Sequence, residues 1–254
     1  MLIALVLACS SGAARAALID LQLSLLTDVS GSVDATEYAL MMQGYESAFR
    51  DPLVINAIMS GNHGAIAANL ILWSGATQQQ LAIPWTLIND SVTANAFADL
   101  VAAATRRFGG RTAPGSAINF ATPLFTTDNP HEASQWTIDI ATDGGQNDGA
   151  STTAARDAFL AACGAAGIPG AINALTIGGD ETLRLWYFNN AVGGVNSDGS
   201  PGFARSVANF ADFQPAIRDK LLAETGALIP EPASMALLAL GGLALLRRRR
   251  RRNR

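Results

Sequence analysis

An apolar run, Leu21-Gln22-Leu23-Ser24-Leu25-Leu26, enters Thr27-Asp28-Val29-Ser30-Gly31-Ser32-Val33 and constrains what the rest of the chain can fold into. The run reads as a strand, and at its end Asp28, Ser30 and Ser32 place oxygen-bearing side chains at alternate positions. Crowded onto one tight loop, such oxygens suit a hard cation such as Mg²⁺. Gly31 predicts a sharp turn that lets all three face one point. Asp and Ser are also the ordinary residues of turns, so the pattern alone fits a strand and a polar turn equally well.

Beyond Val33 the chain alternates between helical and extended patterns. Asp34 with Glu37 three residues later signals a helix start, and the helix is expected to run to about Met59 with a break at Asp51-Pro52. Residues 65–73 and 80–87 are apolar runs joined by a link short enough for an antiparallel hairpin. Residues 91–108 read as an amphipathic helix, a Gly-rich loop carries Thr112, and a helix comes next over 116–125. Strands are expected at 136–142 and 171–177, helices at 153–166, 181–190 and 210–224, and an edge strand at 203–207. The fold class predicted is α/β: a doubly wound, mostly parallel sheet with one antiparallel edge strand and helices on both faces. No internal repeat and no linker interrupts residues 17–225, which read as one domain.

Charge excludes some partners. Within residues 17–228 nine basic residues stand against 20 acidic ones, an excess of 11 negative charges. Such a body repels a phosphate backbone, so no nucleic-acid partner is expected. With two His and two Cys in 254 residues, a zinc site is not expected either. His63 and His131 read as solvated loop residues, and no Gly-x-Ser-x-Gly elbow offers a serine nucleophile. An aspartyl phosphatase would want a second acid where Ser30 stands. Trp73, Trp136 and Trp186 read as packing residues, with Trp85 left open as a sugar platform. Cys163, in an Ala-rich helical pattern, reads as a buried inert thiol.

The ends carry different signals. Residues 1–16 are apolar and close on Ala14-Arg15-Ala16, which reads as a secretory leader lacking a basic start. A rival reading makes Cys9 a lipidation site. Residues 226–254 open on Pro230-Glu231-Pro232, continue through an apolar stretch to Leu246 and end in an Arg-rich run. That stretch is expected to be a short transmembrane helix, lengthened by snorkelling Arg, with its basic end in the cytoplasm. The three-part tail resembles the PEP-CTERM sorting signal of Gram-negative bacteria. The resemblance implies transient inner-membrane anchoring, processing by an exosortase-type enzyme, and delivery to the periplasm, cell surface or extracellular matrix.

In doubly wound sheets, ligands sit beyond the carboxyl ends of the strands, where the loops of Asp28, Thr112 and Asp143 are expected to meet. In this order the chain resembles a von Willebrand factor A-type domain with a metal-ion-dependent adhesion site (MIDAS). The matching positions are Asp28, Ser30 and Ser32, then Thr112 in Gly-Gly-Arg-Thr, then Asp143 in Ala-Thr-Asp-Gly. Leu-Thr-Asp-Val-Ser-Gly-Ser-Val, Trp73-Ser74-Gly75, Pro84-Trp85-Thr86 and Ala-Ile-Asn-Ala-Leu-Thr-Ile are similar to a bacterial secreted branch of that fold. The resemblance implies that these five residues hold Mg²⁺, with Ca²⁺ or Mn²⁺ as alternatives. It also implies a partner's acidic group completing the metal shell. The function expected is a non-enzymatic adhesion module gripping an acidic protein or exopolysaccharide. A Mg²⁺-dependent hydrolase using the same loops, or a surface protein whose metal only staples loops together, are the alternatives.

Overall fold

The computed structural model describes residues 17–127 and 130–225. A short strand, β1 (Ala17–Ile19), turns at Asp20 into β2 (Leu21–Asp28), which is buried along its whole length. Its side chains divide by the two-residue period: Leu21, Leu23 and Leu25 enter one core, while Leu26 enters the other.

Helix α1 (Ala35–Arg50) is capped reciprocally, Asp34 accepting from the Thr36 and Glu37 amides while Glu37 accepts from the Asp34 amide. The expected break falls at Asp51, which caps the next helix, α2 (Pro52–Met59), through the Leu53 amide. Strands β3 (Ile66–Trp73) and β4 (Gln79–Ile88) form the antiparallel hairpin. They are followed by α3 (Ser91–Ala103), α4 (Pro114–Ala121) and a 3₁₀ turn over Thr122–Phe125. The chain continues through β5 (His131–Ala133), β6 (Trp136–Thr142), α5 (Thr152–Ala166) and β7 (Gly170–Ile177). It ends with α6 (Glu181–Asn190), β8 (Gly193–Gly194), β9 (Ala204–Val207) and, after a 3₁₀ turn, α7 (Phe213–Glu224).

The main sheet runs β4-β3-β2-β6-β7, with β8 and β9 both on the outer edge of β7. Pairing is parallel except for β3 with β4 and the two-residue contact of β7 with β8. Helices α1, α2, α3 and α7 cover one face over Leu23, Tyr45, Phe49, Phe97 and Phe213. Helices α4, α5 and α6 cover the other over Trp73, Ile118, Phe159 and Tyr187. The doubly wound class read from the sequence is the one observed.

Several details differ from the sequence reading. The helix expected over 91–108 stops at Ala103, because Ala104 turns extended and its carbonyl accepts the Tyr38 hydroxyl at 3.0 Å. This frees residues 104–113 as a long loop. The pairing of β1 with β5 was not legible, since two three-residue segments carry no usable period. His131 accordingly stands half-buried in a strand rather than in a solvated loop, and burial holds its pKa below the usual imidazole value. Trp85 is a packing residue: its indole donates to the Leu124 carbonyl at 2.8 Å and meets the Phe125 ring edge-on at 5.2 Å. Cys163 is buried and free, its thiol pushed up to about 12 by burial. The leader and the apolar stretch of the tail lie outside the described residues. Among those described, no helix is long and apolar enough to cross a membrane.

Two glycines test the packing in opposite directions. A Cβ on Gly115 would meet the Ala150 carbonyl and the Thr152 amide nitrogen, backbone atoms at the start of α5 that cannot yield. Gly115→Ala is expected to cost ~1–3 kcal/mol as overpacking. Gly164, inside α5, has nothing within 4 Å of such a carbon, and Gly164→Ala is expected to add ~0.5–1 kcal/mol. Urea unfolding of the two variants checks both signs.

Candidate functional site

Three loops meet beyond the carboxyl ends of β2 and β6. The parallel register sets Thr27 opposite Ala141, so Asp28 ends its strand beside Thr142. Thr142 Oγ1 donates to Asp28 Oδ2 at 2.7 Å, and the Ser30 amide donates to Asp28 Oδ1 at 2.7 Å. From there the side chains form a chain of contacts: Ser30 Oγ lies 3.2 Å from Ser32 Oγ, and Ser32 Oγ donates to Asp143 Oδ1 at 2.9 Å. Asp28 and Ser30 are buried, Asp143 is half-buried, and Ser32 opens to solvent. Thr112 is buried, its Oγ1 lying 3.3 Å from where a Cβ on Gly144 would stand. The structure therefore links Asp28, Ser30, Ser32 and Asp143 through these contacts and sets Thr112 against Gly144, the residue after Asp143.

Gly31 serves the loop differently from the expectation. It is not among the glycines with left-handed backbone. Its amide donates to the Gly110 carbonyl at 2.8 Å, and a Cβ there would sit 3.1 Å from the Gly109 carbonyl oxygen. The requirement is close approach of two loops, not an unusual dihedral.

The electrostatics arise from burial. Burial raises the Asp28 carboxyl to about 7, against the lowering effect of its two donors, and the charge of Asp143 adds to the rise. Asp143 is raised too, first by burial and then by Glu37, with the Ser32 hydroxyl and Arg106 opposing. Two carboxylates thus share a site where burial dominates at both, with Arg106 opposing it at Asp143. Among the described residues no three His, Cys, Asp or Glu side chains gather as a metal cluster. The donor set here is two carboxylates and three hydroxyls, all hard oxygens.

Several supporting residues escaped the sequence reading. Arg106 Nη2 donates to the Ser30 carbonyl at 2.9 Å and the Val29 carbonyl at 3.3 Å, tying the long loop after α3 to the Asp28 loop. Asn147 Oδ1 accepts the Thr112 amide at 2.8 Å while its own amide donates to the Thr112 carbonyl at 3.0 Å. Tyr187 donates to the Gly144 carbonyl at 2.8 Å from beneath. The only sequence signal for these contacts was the polar, turn-rich character of both loops, which does not name partners.

The Asn147 clamp predicts a measurable loss. Asn147→Ala leaves the buried Thr112 amide without its acceptor and is expected to lower stability by ~1–3 kcal/mol. Denaturation without divalent cations, giving an unchanged midpoint, would show that the clamp contributes nothing.

The architecture is similar to solved structures of von Willebrand A type. Proximal thread matrix protein 1 from the mussel byssus aligns with a TM-score of 0.59 at 16% identity, over 82% of this chain and 48% of that one. A structure of the same mussel protein with a zinc-occupied MIDAS motif aligns with a TM-score of 0.59 at 15% identity, over 82% and 48%. The von Willebrand factor type A structure from Catenulispora acidiphila gives 0.53 at 15% identity, over 82% of this chain and 43% of that one. The pilus adhesin SpaC from Lactobacillus rhamnosus GG gives 0.53 at 14% identity, over 82% and 30%. The chain spans about half the length of the mussel protein it matches. At these identities the likeness carries the fold. No curated protein matches the sequence. Residues 228–251 match the PEP-CTERM protein-sorting motif, the mark of an exported protein. Residues 18–229 match the family model described as a protein of unknown function, DUF1194, and the chain belongs to that family.

Proposed function

We propose that this is an exported, non-enzymatic binding module that uses a divalent cation held by Asp28, Ser30, Ser32, Thr112 and Asp143 to grip an acidic group of a partner. The observation that carries the reading is the buried Asp28 carboxylate, joined to Asp143 through two serine hydroxyls and short of counter-charge. Oxygen donors alone fit a hard cation, Mg²⁺ first, with Ca²⁺ or Mn²⁺ suited by the same chemistry. Zinc in the mussel protein's MIDAS motif supports a divalent site on this fold. Two carboxylates formally neutralise such a cation, which keeps the electrophilicity to take an external carboxylate.

A binding role is favoured over hydrolysis by where the histidines stand. His63 holds Asp20 at the opposite end of β2 from Asp28, and His131 pairs beside β1 at that same end. Neither supplies a proton acceptor at the cation loops. The sorting motif supports a partner at the cell surface or in its matrix, an acidic protein or polysaccharide, with an exosortase-type enzyme processing the tail.

Calorimetric titration of Mg²⁺ into the chain and its Asp28→Ala variant tests the reading. Heat in the first and none in the second is expected, and negligible heat in both would remove the metal from the account. The pH dependence has a fixed sign. Asp28 must ionise to bind a cation, so affinity should fall about tenfold per pH unit below about 7 and flatten above it. In the cation-free protein the raised carboxyl stabilises the fold fully below its ordinary value of 3.8, and that contribution is lost as pH rises through about 7. Melting curves with and without Mg²⁺ at pH 5 and pH 8 should therefore diverge most at the higher pH.

A further inference from the structure

On the face of the sheet covered by α1 and α7 lies a second cluster of ionisable groups, of which the cation loops make no use. Lys220, the only lysine in the chain, is fully buried, as are Asp139 on β6 and Asn173 on β7, and Glu224 is 1% exposed. Lys220 Nζ stands against Asp139 Oδ1 as an ion pair, and it donates to Glu224 Oε1 at 2.6 Å. Neither Asp139 oxygen accepts a hydrogen bond among the described residues. The Phe203 ring closes the space 5.6 Å from Nζ, and the buried Tyr45 faces Asp139 from α1. One ammonium between two carboxylates in an apolar core is a costly arrangement, since each ion has lost its hydration.

We propose that Lys220 and Asp139 condense to an intramolecular amide bond, with Glu224 carrying the proton. The Lys220 ammonium passes one proton to the Asp139 carboxylate it stands against, and Nζ then attacks Cγ of Asp139. A bond forms between Nζ and Cγ, and the bond from Cγ to one carboxyl oxygen breaks. Glu224 Oε1, already bonded to Nζ, takes a proton from the nitrogen and delivers it to the departing oxygen, which leaves as water. One amine and one carboxylic acid thus become one secondary amide and one water, with no oxidant, reductant or cofactor required. Three features suit the step.

Burial raises Glu224 to about 7, with the charge of Asp139 adding to the rise, so it can both accept and release a proton near neutrality. The fixed contact replaces a bimolecular encounter. A groove of about 510 Å³ at the amino end of the sheet, lined by Glu224, Asn196 and Gln135 among others, gives the water a way out. Asn173 is the poorer acceptor because its amide is spent: Nδ2 donates to Glu224 and Asn196 at 2.9 Å each, and Oδ1 accepts from the Phe203 amide at 3.0 Å. The product would also strap β6 to α7 covalently in an exported chain whose described residues hold a single, unpaired cysteine.

Peptide mapping of the full chain after denaturation decides the matter. Trypsin should fail to cut after Lys220, and the peptide spanning 112–156 should be recovered joined to the peptide that begins at Asp219, lighter than their sum by one water. A Glu224→Gln chain with an unchanged circular dichroism spectrum should give the two peptides separately. Recovery of separate, unmodified peptides from the wild-type chain would overturn the bond. A link to the 157–184 peptide with loss of ammonia would overturn the Asp139 assignment in favour of Asn173. A Glu224→Gln chain that still carries the bond would overturn the role given to Glu224.

Discussion

The parallel pairing of β2 with β6 governs the molecule. It sets Asp28 beside Thr142 and leaves Asp143 one residue further on, so that two carboxylates from segments more than a hundred residues apart share one pocket. The same pairing places Asp139 on the other face of β6, under α7. Both ionisable clusters are therefore consequences of one register. Because side chains alternate with a period of two, a slip of one residue would exchange the faces and dissolve both clusters at once.

The two clusters deal with buried charge in opposite ways. At the carboxyl end of the sheet Asp28 is buried and Asp143 half-buried, and the exposed Ser32 hydroxyl reaches Asp143 from the surface. Beneath α7 the acids are buried and the positive charge comes from within the chain, on Lys220. A desolvated carboxylate demands compensation in either setting. The first site stands at the surface through Ser32, whereas the second finds its opposite charge within the chain.

Much of this was legible in the sequence. The strand into Asp28, the capping pair Asp34 and Glu37, and the Asp51-Pro52 break are local signals with local causes, and each fell where expected. Thr112 and Asp143 were named by the order of motifs; Asp143 accepts from the Ser32 hydroxyl, and Thr112 packs against the next residue, Gly144. What sequence could not supply were pairings that depend on the assembled sheet. Asn147 clamps Thr112, Arg106 reaches across to Ser30, and Lys220 lies against Asp139, each through contacts between residues far apart in the chain. The helix end at Ala103 was misplaced for the same reason, because a hydroxyl from α1 fixes it.

Burial of Lys220 leaves the outside of the described body without a side-chain amine. Reagents and enzymes that couple through lysine, whether aldehydes, activated esters or acyl-transferring cross-linkers, find no side-chain handle there while the fold is intact. For a protein that carries a sorting motif for export, lysine-directed chemistry outside the cell therefore passes the described body by.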